Sequence, residues 1–178
     1  MYSATIVTIE KNTYRCSALF RYEKNIKKVI SLFKFSRELK QAKVCAGLIL
    51  ENINLTFNPD IIVPVPSHPI EEIKRGFSHM NYLSWLISKK LNIPFYPIIG
   101  RKLFPIFGRN QKSKDKKQRI NSNKKHYIRH DSPDIKGKNI LLLDDVMTTG
   151  ITMNSCADIL IQKGASKVHG VSIGLTPL

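Results

Sequence analysis

Residues Asn139 to Leu160 read NILLLDDVMTTGITMNSCADIL, and the fold follows from this stretch. Asn139 to Leu143 is a short apolar run of the kind that a doubly covered parallel sheet buries on both faces. Two adjacent carboxylates, Asp144 and Asp145, close the run. A loop rich in Thr and Gly then opens a helix expected over Thr152 to Lys163. Each part has a physical use. Successive backbone amides in a turn entering a helix form a concave, partly positive nest that suits a phosphate. Gly150 allows close backbone approach, and Thr148, Thr149 and Thr152 add hydroxyl donors. One carboxylate of the pair can accept hydrogen bonds from ribose hydroxyls, and together they favour a hydrated Mg²⁺. The stretch describes a candidate ribose 5-phosphate site.

The flanking segments extend the pattern. Gly164 ends the helix, and Val168 to Ile173 reads as the next strand. Upstream, Asp60 to Val65 (DIIVPV) is another buried strand, followed by a stiff Pro-rich loop, PVPSHP. Ser78 is a candidate N-cap for a helix burying Leu83, Leu86, Ile87 and Leu91, with Trp85 at its flank. Phe95 to Ile99 reads as a strand, and Tyr127 and Ile128 resume the sheet. Near the N-terminus, alternation from Thr5 to Tyr22 indicates a strand pair. Ile26, Val29, Ile30 and Phe33 then mark an amphipathic helix, and a second covers Ala42 to Ile53. Strands alternating with helices predict a twisted parallel α/β sheet.

The chain has 178 residues, about one ordinary domain. Its 42% hydrophobic and 24% charged residues indicate a folded globular protein. Neither a secretory leader nor a bilayer-spanning run is read, so no membrane insertion is expected and the cytoplasm is the expected compartment. Lys and Arg number 29 against 13 acids, a formal net charge of +16 that points to an anionic partner. Between Arg109 and Arg129 there are nine Lys or Arg and one acid, Asp115, with few apolar residues. A solvated loop is expected there. The three cysteines, Cys16, Cys45 and Cys156, are far apart and odd in number, so neither a disulfide framework nor a paired-cysteine zinc site is indicated.

The string LLLDDVMTTGIT resembles the phosphoribosyl pyrophosphate (PRPP) signature of type I phosphoribosyltransferases. Further features resemble the ComF family of competence and DNA-utilisation proteins, also called GntX-like. These are Ala18, Leu19, Phe20 and Tyr22; VPVPSHP from Val63 to Pro69; Arg75, Gly76 and Phe77; and a basic loop holding Gln111 and Arg119. The resemblance implies a single phosphoribosyltransferase-like domain over 1–178, with an N-terminal hood over 1–57, a PRPP-binding core over 58–178 and a flexible basic loop over 104–126. It also implies a site. Met147, Thr148, Thr149, Gly150, Ile151 and Thr152 would hold the 5-phosphate. Asp144 and Asp145 would hold ribose and, through ribose or water, Mg²⁺. Ser67, His68 and Arg75 would receive pyrophosphate, and Arg109, Gln111 and Arg119 would join the acidic pair in catalysis. Many members begin with a cysteine-rich zinc module; this chain lacks those cysteine pairs, so no zinc is expected. Competence-machinery proteins are implied as partners.

Two functions remain open on the residues. One is PRPP binding with Mg²⁺ in natural competence, DNA uptake or DNA utilisation, with displacement of pyrophosphate by an acceptor if the chain catalyses. The other is a single-stranded DNA-binding accessory protein with a regulatory or vestigial PRPP pocket, in which Lys112, Lys114, Lys116, Lys117, Lys124 and Lys125 track the nucleic-acid backbone. The same basic segment reads equally as a lid closing over PRPP. A nucleobase-salvage enzyme needs a base pocket that the sequence does not reveal. Arg75 either grips phosphate or pairs with Glu71 or Glu72. His79, His126, His130 and His169 lack metal-ligand spacing, and Lys34 reads as a snorkelling surface lysine, although it matches a lysine common in the family. Neither the acceptor nor the oligomeric state is legible.

Overall fold

Leu141, Leu142 and Leu143 are all fully buried, as a strand covered on both faces requires. They belong to β6 (Asn139–Met147), which pairs in parallel with β7 (Lys167–Leu175) on one side and β3 (Ile61–Pro64) on the other. β7 pairs in parallel with β2 (Tyr14–Arg21), and β2 pairs antiparallel with β1 (Val7–Lys11), giving the order β1-β2-β7-β6-β3. These elements come from a computed structural model that describes residues 7–11, 14–35, 40–53, 57–102 and 126–176. Arg109, Gln111, Arg119 and the six candidate DNA-binding lysines lie outside the described residues, as does all of 104–126 except His126.

Side-chain alternation along β6 sorts the core into two layers. Ile140 and Leu142 pack with Cys156, Ala157 and Leu160 of α5 (Ile151–Gln162). Leu141 and Leu143 pack on the opposite face with Ile30 and Phe33 of α1 (Lys24–Phe35), Ile49 of α2 (Lys40–Asn52), and Leu83 and Ile87 of α4 (His79–Leu91). Burying each such side chain contributes roughly 1.5–3 kcal/mol. The described part of 1–57 is built into this architecture, with two strands in the main sheet and two helices on one of its faces. Among the described residues, no helix is long and apolar enough to cross a membrane.

Four differences from the sequence expectation have physical causes. β6 continues to Met147, because Asp144 pairs with Ser172 and Val146 with Gly174, so the acidic pair lies inside the strand and not beyond it. The stiff loop after β3 ends at His68, where Pro69 begins a short helix, α3 (Pro69–Arg75). Proline at the first helical position has its φ already set and gives up an amide that had no partner there anyway. The strand expected over Phe95 to Ile99 reduces to one bridge, Ile62 with Phe95, because Pro94 and Pro97 carry no N–H to extend the ladder. Finally, β4 (Ile99–Arg101) and β5 (His126–Ile128) form a separate antiparallel pair, so Tyr127 and Ile128 do not rejoin the main sheet.

Gly170 in β7 lets α5 lie close to the sheet: a Cβ there would stand 2.8 Å from Cys16 Sγ and 2.9 Å from Met153 Sδ. Gly170→Ala should therefore destabilise the protein by about 1–3 kcal/mol through overpacking. Thermal melts should show a fall of roughly 3–10 °C, partly recovered when Cys16→Ala is added.

Candidate active site

β6 delivers the chain to a loop, Thr148 to Gly150, that enters α5. Gly150 takes a left-handed conformation, φ 73°, and no side chain caps the helix start. Glycine adopts that backbone without a Cβ penalty, and the first amides of a helix have no intrahelical acceptor. They remain available to an anion. Of the expected 5-phosphate residues, Met147 and Gly150 are buried, whereas Thr148, Thr149, Ile151 and Thr152 are exposed. Met147 is part of the hydrophobic core, so what it can offer a phosphate is its backbone; the threonines can add hydroxyls.

Because they are adjacent strand residues, Asp144 and Asp145 point to opposite faces of the sheet. Asp145 enters the layer of α1 and α4 and is 5% exposed. Its Oδ1 lies 2.8 Å from Lys34 Nζ, and its Oδ2 lies 2.9 Å from His79 Nε2. Burial alone would raise the Asp145 pKa, but the His79 hydrogen bond and the Lys34 charge more than reverse this and hold it below the ordinary carboxylate value. Asp144 is only partly buried, and its Oδ1 accepts the Asp145 amide at 2.9 Å. Desolvation, then repulsion from Asp145, pushes its pKa well above the ordinary range, against the opposing charges of Lys34 and Arg101. Burial also raises the Cys45 thiol on α2 to about 12, with Asp145 as the second cause. Burial likewise raises the Cys156 thiol on α5, with Asp144 as the second cause. The two carboxylates therefore perturb thiols on opposite sides of the sheet.

Lys34 is thus an ion-pair partner of the acidic pair and not a snorkelling surface lysine. His79 is likewise a buried link. Beside its bond to Asp145, its Nδ1 lies 2.8 Å from Arg75 Nη1 and 3.4 Å from Ser67 Oγ. A guanidinium only donates, so Nδ1 is the acceptor, and Nε2 carries the proton given to Asp145. Arg75 also donates from Nη2 to Glu71 Oε2 at 2.7 Å and lies 5.7 Å from the centroid of the Phe35 ring. It is both a helix-surface ion-pair partner and a member of this cluster. His68 caps α3, its Nδ1 accepting the Ile70 amide at 3.3 Å. His126, at the foot of β5, pairs with Ser155 Oγ of α5 at 3.3 Å.

A Mg²⁺ ion fits this donor set only in part. Among the described residues, no group of three His, Cys, Asp or Glu side chains could hold a metal, and Asp144 is the one carboxylate of the pair not ion-paired with Lys34. Mg²⁺ characteristically takes one or two carboxylates plus waters and ligand phosphates, so one protein carboxylate is compatible with it.

An acid near the carboxyl end of β6, an uncapped glycine helix entry and the loop that follows the neighbouring parallel strand β3 thus lie at one end of the sheet. The chain belongs to the phosphoribosyl transferase domain family, whose model matches residues 82–173, more than half of it. Within that family it is ComF-like. It is 28% identical over 112 residues to competence protein F of Haemophilus influenzae, a match covering 62% of this chain and 48% of that one. It is 29% identical over 104 residues to competence protein ComFC of Bacillus subtilis, covering 58% and 39% respectively. The match therefore spans less than half the length of either relative. Among solved structures, glutamine PRPP amidotransferase from B. subtilis, in complex with ADP and GMP, shares the fold, with a TM-score of 0.55 at 18% identity over 82% of this chain and 30% of that one.

Asp144→Asn should stabilise the protein at neutral pH. A carboxylate whose folded pKa is raised contributes stability only when protonated, and loses it as pH rises through that pKa. Removing the charge should raise the melting temperature at pH 7.5 by roughly 2–4 °C, on the order of 1 kcal/mol after allowing for solvent screening. The gain should vanish towards the ordinary value of 3.8. Paired melts across that range check it.

Proposed function

We propose that this protein is a cytoplasmic, Mg²⁺-dependent PRPP-binding protein of the ComF type that acts in natural competence, in DNA uptake or utilisation. The observation that carries the reading is the junction of β6 and α5, where an uncapped helix start with left-handed Gly150 comes six residues after a partly exposed carboxylate, Asp144, near the end of the strand. Backbone amides from Thr148 to Thr152 would hold the 5-phosphate, assisted by the threonine hydroxyls. Asp144 would accept from the ribose hydroxyls. Ser67, His68 and Arg75 would face the pyrophosphate side. Bound Mg²⁺ would supply charge neutralisation on the pyrophosphate.

If the protein transfers phosphoribosyl, an acceptor displaces pyrophosphate at the anomeric carbon, and the protein's part is positioning and charge complementarity. Calorimetric titration of PRPP with Mg²⁺ should give saturable binding to the native protein. Asp144→Asn should weaken it about 10- to 100-fold, the loss of a charge-assisted hydrogen-bond acceptor. Gly150→Val should abolish it by forcing a side chain into a left-handed backbone. Native protein that does not bind, or an Asp144→Asn variant that binds equally well, would refute the reading.

The net charge of +16 favours a second activity, the binding of single-stranded DNA, with the PRPP pocket regulatory or vestigial. The segment from Arg109 to Arg129 supplies nine of the cations. Binding to an oligothymidylate should weaken steeply with salt, and replacing Lys112, Lys114, Lys116 and Lys117 by Gln should flatten that dependence by up to about 0.7 log units per lost phosphate contact. PRPP affinity should survive the replacement. An unchanged salt slope would remove this segment from the DNA-binding surface.

A further inference from the structure

The two loops of the proposed site belong to different strands, and one histidine joins them. Asp145 is fixed in β6, one residue from Asp144. Its Oδ2 accepts from His79 Nε2, and the far side of the same ring accepts from Arg75 at 2.8 Å, with Ser67 Oγ 3.4 Å away. Phe33 of α1 holds the imidazole edge-on, with ring centroids 5.0 Å apart at an interplanar angle of 67°. Lys34, the next residue in α1, holds the other oxygen of Asp145. Arg75 and Ser67 are thereby referred to a single buried point on β6.

We infer that His79 is a positioning residue for the pyrophosphate side of the site. Through the neutral tautomer with its proton on Nε2, it transmits the fixed position of Asp145 to Arg75 and Ser67, so that the donors after β3 are set opposite the phosphate loop after β6. The role is directional. Asp145 lacks a free oxygen for ribose, and His79 spends both ring nitrogens inside the protein, so neither need touch the ligand. The inference rests on the PRPP reading and assigns a division of labour within it: Asp144 and the α5 entry serve ribose 5-phosphate, and the cluster of Lys34, Asp145 and His79 serves the pyrophosphate donors.

The test compares His79→Phe, which keeps the ring and loses both hydrogen bonds, with His79→Gln, whose amide can donate to Asp145 and accept from Arg75. Pyrophosphate with Mg²⁺ and ribose 5-phosphate are titrated separately into each variant. His79→Phe should weaken pyrophosphate at least 10-fold and leave ribose 5-phosphate within twofold, and His79→Gln should recover most of the loss. In the native protein, ¹⁵N spectra of the His79 side chain should show a protonated Nε2 and a bare Nδ1. Equal losses for both ligands, or no loss for either, would overturn the inference, as would a proton on Nδ1. A native protein that binds neither ligand would refute the PRPP reading and the inference with it. Binding of both ligands by native protein, with His79→Phe unchanged, would sink the inference alone.

Discussion

A carboxylate deep in an apolar layer has to be paired, and Asp145 is the point where this chain meets that requirement. An unpaired buried charge costs several kcal/mol, so β6 cannot place an acid among Leu141, Leu143 and the α1 and α4 side chains unless a cation and a hydrogen-bond donor arrive with it. Lys34 and His79 are those partners. Their arrival fixes the end of α1 and the start of α4 against the same strand, and Arg75 on α3 is drawn in through the ring. The ion pair is worth less as net stability than its short distance suggests, since much of its attraction offsets desolvation. Its larger effect is on geometry.

The opposite acidities of the neighbouring aspartates follow from the same constraint. Alternation puts one residue on the α1 and α4 face, beside a cation and an imidazole N–H, and the other on the α5 face, beside a negative neighbour and with one backbone donor. The acid on the α1 and α4 face is held below the ordinary carboxylate value, and the one on the α5 face is pushed above it, first by burial and then by its neighbour. A cation or a set of hydroxyl donors reaching Asp144 would restore to it what Asp145 already has.

Much of the architecture was legible because its signals are local. The apolar run of β6, the glycine-threonine turn and the helical periods of α1 and α4 all survive in the structure. What was missed depended on continuing a pattern past its apolar members. Lys34 lies eight residues after Ile26 and four after Ile30, on the stripe whose members are buried against the sheet, so a lysine there calls for an internal anion. Asp145 shares the parity of Leu141 and Leu143 and needed a partner for the same reason. His79 follows its N-cap, Ser78, into the first turn of α4, but no spacing rule ties that position to Asp145, 66 residues further on. The helix α3 was hidden by its prolines, which read as a loop until Pro69 is taken as a helix start.

The single bridge at Phe95 also bears on how the sheet stops. Ile62 gives its amide to Pro94 and its carbonyl to Tyr96, and the prolines at 94 and 97 leave the next positions without donors. A strand from another molecule would find no continuous ladder to copy on that margin of β3, which otherwise is four residues of fully buried aliphatic and proline surface. A short proline-bracketed bridge of this kind protects against edge-to-edge aggregation.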